Sequence, residues 1–128
     1  MQYEYFYGAQ AEQFSFYRIP KALFTVPNFR ELSTDAKVLY GILLDRMSLS
    51  LKNQWIDAQN KVYIIFTVEE IMDALNCANQ KATRLMVELE KRAGLIERKR
   101  QGLGRPNLIY VKNFAATIND KSCEKGDS

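Results

Sequence analysis

The Lys and Arg side chains of residues 79–112 are the groups in this chain best suited to chemistry with a ligand. The segment holds nine Lys or Arg residues against three Glu, a charge of +6, so the rest of a chain of net charge +3 sums to −3. Ammonium and guanidinium groups form charge-assisted hydrogen bonds to phosphate and other oxyanions. Such a separation of charge within a short chain indicates a polyanion-binding face on a neutral-to-acidic body.

Some of these cations lie on a predicted amphipathic helix over about residues 80–93. Its inward face follows the spacing i, i+3, i+4, i+7: Ala82, Leu85, Met86 and Leu89. Its outward face is polar and basic: Gln80, Lys81, Thr83, Arg84, Val87, Glu88 and Lys91. Arg and Lys pair with guanine edges and Gln with adenine, so Gln80, Lys81 and Arg84 are the candidates for base contacts. A solvated surface helix has much the same pattern, and Glu88 and Glu90 limit how much of this one can approach phosphate.

A second group of cations brackets the loop RKRQGLGRPN: Arg98, Lys99, Arg100 and Arg105. Gly102, Gly104 and Pro106 let the backbone turn tightly beside a duplex. Four like charges on one hairpin repel each other without an anion nearby, so we predict phosphate clamping or minor-groove insertion. A basic loop kept for solubility is the alternative. The predicted DNA contacts are Asn79, Gln80, Lys81, Thr83, Arg84, Lys91, Arg98, Lys99, Arg100, Arg105 and Asn107, whereas Lys37 and Lys52 are predicted to be ordinary surface lysines.

The composition argues against catalysis. The chain has no histidine, and its two cysteines, Cys77 and Cys123, fall in unrelated contexts. There is therefore no imidazole base and no Ser-His-Asp set, and neither a disulfide nor a metal site is predicted. No phosphate-binding loop of the GxxxxGKS or GxGxxG kind occurs. We expect a protein that is not an enzyme, with no catalytic residues and no cofactor.

The sequence also bears on compartment and size. No apolar run approaches the roughly 20 residues of a membrane-spanning helix, and the start, MQYEYFYGAQ, lacks the cationic and apolar regions of a signal peptide. We expect a cytoplasmic protein with no membrane partner. A length of 128 residues favours one domain over two.

The elements that position the cations follow the order of a helix-turn-helix. Thr67 and Glu70 have the spacing of a capping box at the start of one helix. Either Asn76 or Asn79 tolerates a left-handed conformation in the turn, and Asn79 is also predicted to cap the next helix. Gly94 is a predicted stop for that second helix.

Two predicted strands, residues 95–100 and 108–112, then flank the basic loop. A helix-turn-helix followed by a β-hairpin is the order of a winged helix-turn-helix. The predicted fold class is therefore α+β, with a β-hairpin wing and an aromatic N-terminal arm or hairpin.

A scaffold helix is predicted upstream, capped by Ser33 and with Asp35 in its first turn. Its apolar stripe is Ala36, Leu39, Tyr40, Leu43, Leu44, Met47 and Leu51. Residues 55–56 and 62–66 flank turn residues and predict a second hairpin. Pro20 is predicted to open a short helical turn.

The N-terminal arm is aromatic, with nine of the fifteen aromatic residues falling in residues 1–29. Period-two spacing about Gly8 predicts a hairpin with one aromatic face. An arm packed on its own core is one interpretation. The other is that the arm meets a second copy, which makes the predicted dimerisation residues Tyr3, Tyr5, Phe6, Tyr7, Phe14 and Phe16. The predicted organisation is an arm (1–30), a winged helix (31–114) and a flexible polar tail (115–128).

The run from LSTDAKVLYGILLDRMSLS through QKAT to LIERKRQGLGRPNLIYVKNF closely resembles the N-terminal domain of RepA-type plasmid replication initiators. The resemblance covers about residues 16–114. It implies a winged helix, similar to that of the primosome protein DnaD, that binds repeated sites (iterons) at a plasmid origin. It also implies self-pairing through the arm and a C-terminal domain for host replisome proteins. The chain ends where that domain is expected to begin, so we expect a DNA-binding piece of a longer initiator.

Two functional hypotheses of different classes follow. The first is a dimeric protein that binds double-stranded DNA at origin repeats. The second is a winged helix that mainly assembles proteins and has little sequence-specific DNA binding. Within the DNA-binding class, a winged-helix transcription regulator is the alternative, and only the family resemblance separates it from an initiator.

Overall fold

The structure, a computed structural model, describes residues 2–8 and 14–115. The helices are α1 (Ala22–Thr25), a 3-10 turn (Pro27–Phe29), α2 (Thr34–Met47), α3 (Val68–Leu75) and α4 (Asn79–Val87), which continues as a π-helical turn (Glu88–Arg92). Strands β1 (Ile96–Lys99) and β2 (Leu108–Val111) pair in antiparallel fashion, with Ile96 opposite Val111 and Lys99 opposite Leu108. The wing is this hairpin, residues 96–111. The predicted α+β winged helix-turn-helix is confirmed, whereas residues 116–128 of the predicted tail, with Cys123, lie outside the described residues.

Helix α2 begins where the capping signal predicted. The Ser33 hydroxyl accepts a hydrogen bond from Ala36 N at 3.1 Å, and Asp35 lies in the first turn. The helix ends at Met47, so the prediction that Leu51 continues its buried stripe is wrong, and that side chain is 73% exposed. The helix stops because the backbone tightens there: Ser48 N donates to Asp45 O rather than extending the regular ladder.

Lys37 corrects a second expectation, because it is not a surface lysine. The residue is only 6% exposed, and its Nζ lies 4.5 Å from the centre of the Phe24 ring on α1. The methylene stem covers apolar surface while the ammonium group faces the electron-rich ring. The sequence pattern missed this contact because α1 and α2 are brought together only by the fold.

The helix-turn-helix is set by local hydrogen bonds. Thr67 Oγ1 accepts from Glu70 N at 3.1 Å, and Glu70 Oε1 accepts from Thr67 N at 2.9 Å, so the predicted capping box is confirmed. Of the two asparagines that could take the left-handed position, Asn76 does so, with φ +54°. The predicted cap at Asn79 is wrong, because Ala78 precedes the helix and Asn79 is already helical. The Asn79 side chain instead accepts from Thr83 Oγ1 at 3.4 Å.

The core lies between α2, α3, α4 and the wing. Its fully buried side chains include Leu23, Leu39, Leu43, Ile64, Ile71, Leu85, Leu89, Ile96 and Ile109. The predicted inward set of the last helix is confirmed, because Ala82, Leu85, Met86 and Leu89 are all buried. Gly41 lets residues 18–19 cross α2, since a Cβ there would lie 2.8 Å from Ile19 Cγ1 and 2.9 Å from Arg18 O.

The predicted second hairpin is present in a minimal form. A single bridge pairs Ile56 with Val62, and Asp57 Oδ1 organises the turn by accepting from the backbone N–H groups of Gln59 and Lys61, both at 2.8 Å. Ile64 then bridges to Ile109 on β2, so this segment lies against the wing as well as leading into α3.

The predicted N-terminal hairpin is wrong for the part of the arm that the structure describes. Residues 2–8 and 14–19 contain no strand, and the centre of the predicted turn, Ala9 and Gln10, lies outside the described residues. The aromatic rings pack on each other instead, with Phe6 and Phe14 centroids 5.9 Å apart and Phe14 and Phe16 centroids 6.3 Å apart. A two-stranded hairpin on its own is only marginally stable, so period-two spacing alone does not secure one.

Glu88 joins the end of the last helix to the start of α2. It was expected on the outward face, but it is buried, and its carboxylate accepts hydrogen bonds from both Ser33 N and Ser33 Oγ, the latter at 3.1 Å. Helix α4 gives way to the π-helical turn at this residue, which alters the side-chain phase relative to a regular α-helix. A carboxylate at a helix start also complements the helix dipole of α2.

We expect Glu88→Ala to lower the free energy of unfolding by about 1–3 kcal/mol, because the Ser33 N–H then loses a charged acceptor. Urea unfolding followed by circular dichroism measures this. Glu31→Ala, which removes an exposed carboxylate two residues before Ser33, is the matched control and should leave the curve nearly unchanged. Equal unfolding midpoints for Glu88→Ala and the control would contradict the assigned role.

Candidate nucleic-acid interface

The outward face of α4 presents polar and basic groups to solvent. Gln80, Thr83 and Arg84 are exposed, and the buried side chains of the same helix lie on its opposite face. Arg84 forms no ion pair with any residue in the described part of the chain. Its guanidinium donors are therefore available to a ligand approaching this face.

Lys81 forms an ion pair with Asp35 at the protein surface. Its Nζ lies 2.7 Å from Asp35 Oδ2 in the first turn of α2, and both side chains are about half exposed. Such surface ion pairs contribute about 0–1 kcal/mol. The ammonium group can therefore exchange its carboxylate partner for a phosphate or base edge at little cost.

Arg98 is bound to the protein itself. Its Nε and Nη2 donate to Glu90 Oε1 at 2.9 and 2.7 Å, and its backbone N–H donates to Glu90 Oε2 at 3.2 Å. The two side chains are 25% and 17% exposed. Among the four wing cations, Arg98 has an anion nearby within the protein, because Glu90 neutralises it and fixes the base of the wing against the end of the helix.

This pairing sets the ionisation of Glu90. Burial by itself raises the pKa of a carboxyl group, but the hydrogen bonds and the charge of Arg98 outweigh burial and hold the pKa of Glu90 below its ordinary value. Glu90 is thus ionised whenever the pair is formed near neutral pH, and the pair is an ion pair rather than a neutral hydrogen bond.

Strand alternation places Lys99 on the opposite side of β1 from Arg98. Lys99 borders a shallow depression of about 120 Å³, together with Asp57, Gln59, Lys61, Glu97 and Tyr110. Tyr110 Oη donates to Asp57 Oδ2 at 2.9 Å, so the turn at residue 57 braces this face of the wing. The backbone N–H of Lys61 is the main cause that lowers the pKa of Asp57, which keeps the carboxylate a good acceptor. Lys61 thus borders the same depression as the wing cation Lys99, a placement that no local sequence pattern predicts.

The wing loop, residues 100–107, is exposed and closed at its base. Arg100, Arg105 and Asn107 are all exposed. Gln101 Nε2 donates to Pro106 O at 2.8 Å across the loop, and Arg105 N donates to Gly102 O at 3.2 Å. The loop therefore has internal hydrogen bonds that hold its shape before any ligand arrives.

The predicted contact residues fall into two groups. Arg84, Lys91, Lys99, Arg100 and Arg105 are exposed and have no ion pair among the described residues, and Asn79, Gln80, Thr83 and Asn107 are exposed too. Lys81 and Arg98 have carboxylate partners.

Within residues 2–8 and 14–115, no group of acidic, Cys or His side chains could hold a metal ion, and no helix is long and apolar enough to cross a membrane.

The fold and the basic helix and hairpin define a winged helix-turn-helix protein. The family model for the N-terminus of Replication initiator protein A (RepA) matches residues 15–125. The chain belongs to this family.

Individual relatives agree with that membership. A 41 kDa protein of Lactobacillus helveticus is 33% identical over 103 residues, which are 80% of this chain and 28% of that protein. The chain thus spans little more than a quarter of that relative's length. The structure of an MDR initiator is 40% identical, with a TM-score of 0.74 over 98% of this chain and 99% of that chain. A structure of a Rep–DNA complex is 34% identical, with a TM-score of 0.72 over 93% of this chain and 97% of that chain.

The depressed pKa of Glu90 predicts a loss of stability in acid. Its ordinary value is 4.5 and its folded value is lower, so the stabilisation is fully present above pH 4.5 and is lost as the pH falls through the folded pKa. We expect wild type to be more stable than Glu90→Gln at about pH 7, and this advantage to shrink as the pH falls below 4.5 and through the folded pKa of Glu90.

Urea unfolding across this pH range measures the difference. Glu97→Gln, which alters the exposed carboxylate on β1, is the control and should stay within about 0.5 kcal/mol of wild type. A wild-type advantage over Glu90→Gln that is independent of pH would contradict the ion-pair assignment.

Proposed function

We propose that this chain is the DNA-binding module of a plasmid replication initiator and that it binds repeated sites at the replication origin. The observation that carries the proposal is the joining of two basic elements: the Arg98–Glu90 pair fixes the wing against the end of the helix whose outward face carries Arg84. Family membership and the likeness to a Rep–DNA complex support the same function. The module needs no catalytic residue and no cofactor for this task.

Helix α4 enters the major groove in this proposal. A recognition helix contacts base edges with its first turns, which here carry Gln80, Lys81 and Arg84. Arg84 is the strongest candidate for guanine, since its bidentate guanidinium matches the O6 and N7 acceptors. Asn79 and Thr83 stand beside these residues and contribute polar contacts.

The wing contacts the DNA backbone or the minor groove. Lys99, Arg100 and Arg105 supply phosphate contacts, and Lys91, at the end of the helix, and Asn107, at the end of the wing loop, add to them. These contacts position the protein without selecting a sequence. Arg98 acts mainly by holding the wing in place, because Glu90 already occupies its guanidinium group.

The arm, residues 1–30, joins two copies of the chain. Tyr3, Tyr5, Phe6, Phe14 and Phe16 are all exposed in the single chain, and so is Tyr7. So much aromatic surface in one segment favours burial against a partner. A two-fold dimer then binds paired half-sites or joins separate repeats.

The remaining roles belong to the longer protein. We assign residues 31–114 to DNA binding. Host replisome proteins bind elsewhere in the initiator, and the site of action is the cytoplasm, where plasmid DNA is replicated.

A protein-assembly module is the second candidate, and the exposed aromatic arm is the observation that favours it. Under that alternative, removal of residues 1–18 abolishes the main activity and wing substitutions matter little. A transcription regulator would bind DNA in the same way but at promoters rather than origins.

Fluorescence anisotropy with origin-repeat and scrambled duplexes across a salt series tests the proposal. Five neutralised phosphates per protomer give a log–log salt slope of about −4 to −5. We expect a cognate preference of about 10³ or more. No binding at low salt would overturn DNA binding and favour protein assembly, whereas binding without preference would overturn sequence recognition alone.

Arg84 and Arg100 should have different effects in that assay. Arg84→Ala should cost about 1–3 kcal/mol on the cognate duplex and relax specificity, because it removes a base contact. Arg100→Ala should weaken all duplexes similarly and reduce the salt slope by about 1, because it removes a phosphate contact. Equal losses on cognate and scrambled DNA for both variants would refute this division. Lys52→Ala, which removes an exposed lysine outside the interface, is the control.

Deletion of residues 1–18 should convert a dimer to a monomer in analytical ultracentrifugation, because the exposed aromatic arm is lost. Circular dichroism of the deletion variant checks that the winged helix still folds. An intact chain that sediments as a monomer at micromolar concentration would refute dimerisation through the arm.

A further inference from the structure

Leu103 is the most exposed large apolar side chain in the described part of the protein, at 97%. It lies at the tip of the wing loop, between Gly102 and Gly104. Isolated exposed leucines are common on protein surfaces and need no explanation by themselves. What distinguishes Leu103 is the structure that presents it.

A hydrogen-bonded turn places Leu103 at its corner. Arg105 N donates to Gly102 O at 3.2 Å, so Leu103 occupies the second position of a four-residue turn. Gly104 follows with φ +77°, the value that the third position of a type II turn requires. A Cβ at either glycine would meet nothing within 4 Å, so both glycines serve the backbone conformation rather than relieving a clash.

The turn stands on a closed base. Gln101 Nε2 bonds to Pro106 O at 2.8 Å directly beneath it, and the strands pair as far as Lys99 and Leu108. Holding an exposed apolar side chain in one conformation in water adds nothing to the stability of the free protein. A loop that already has its bound conformation loses less conformational entropy when its tip is inserted into a ligand.

The charge around the tip identifies the ligand class. Residues 98–112 contain no Asp or Glu, and the exposed cations Arg100 and Arg105 lie on either side of Leu103 in the chain. An apolar tip between two cations fits an apolar slot with anions along both edges. A DNA minor groove opened at one base step has that arrangement, because phosphates run along both edges and the faces of two unstacked base pairs line the apolar slot.

We propose that Leu103 is an apolar wedge that inserts between two base pairs from the minor groove and bends the DNA, an inference that rests on the proposed function. Leucine is among the side chains that proteins use to unstack a base step in this way. Arg100 and Arg105 hold the phosphates on either side, which aligns the wedge with the groove.

The test compares wild type with Leu103→Ala on origin-repeat duplexes. Leu51→Ala is the matched control, since Leu51 is also a highly exposed leucine but lies in the loop after α2. Leu103→Met restores an apolar side chain of similar reach. The readouts are anisotropy across a salt series, fluorescence transfer between the two duplex ends, and emission of 2-aminopurine placed at successive steps.

We expect wild type to shorten the end-to-end distance and to raise 2-aminopurine emission at one step. Leu103→Ala should lose both signals and bind about tenfold more weakly, because burial of a leucine side chain is offset in part by unstacking. Its salt slope should equal that of wild type, because no charge is removed. Leu103→Met should recover the signals, and Leu51→Ala should keep them.

Two results would overturn the wedge alone. One is a Leu103→Ala complex that bends and unstacks DNA as wild type does. The other is a wild-type complex that binds DNA with neither signal. Wild type that binds no duplex at low salt would overturn the proposed function itself, so the two failures are distinguishable.

Discussion

The orientation of α4 and the π-helical turn that continues it depends on the start of α2, which contacts them at two points. Ser33 donates to Glu88, and Asp35 pairs with Lys81. Lys81 and Glu88 are seven positions apart, about two helical turns, so they lie near one face of the helix. Two attachments about 10 Å apart fix the direction of a helix as well as its position. The Glu88 contact is buried and contributes most, whereas the exposed Lys81 pair can be exchanged.

The protein uses its own carboxylates where cations lie close to the core and leaves the outer cations unpaired. Glu90 neutralises Arg98 at the base of the wing, and the carboxylate of Asp57 anchors Tyr110 on the other face. Repulsion among basic groups is therefore relieved within the framework. Arg100 and Arg105, at the loop, have no such partner in the described residues. The exposed wing loop therefore carries positive charge that no carboxylate of the described residues neutralises.

Local rules predicted the elements well and their tertiary contacts poorly. The Ser33 cap, the capping box at Thr67 and the left-handed Asn76 depend on neighbours within a few residues, so the sequence alone specifies them. Glu88 bonds to a residue 55 positions away, and Lys37 is covered by a different helix. Periodicity assigns a side chain to a face, but it does not say which element covers that face. The predicted hairpin in the arm was wrong for a related reason, because alternating aromatic residues form a strand only where a partner strand is available.

A wing braced on both faces has a consequence for recognition. The Arg98–Glu90 pair restrains one side and the Asp57–Tyr110 bond the other, while the bridge from Ile64 to Ile109 adds a backbone connection. Such a wing has little freedom to adjust to a duplex that does not match its spacing from α4. The adjustment must then come from the DNA, whose bending cost depends on base sequence and is lowest at pyrimidine–purine steps. Under the proposed function, base pairs that no side chain touches therefore contribute to the choice of site, because their stiffness decides whether helix and wing can be seated together.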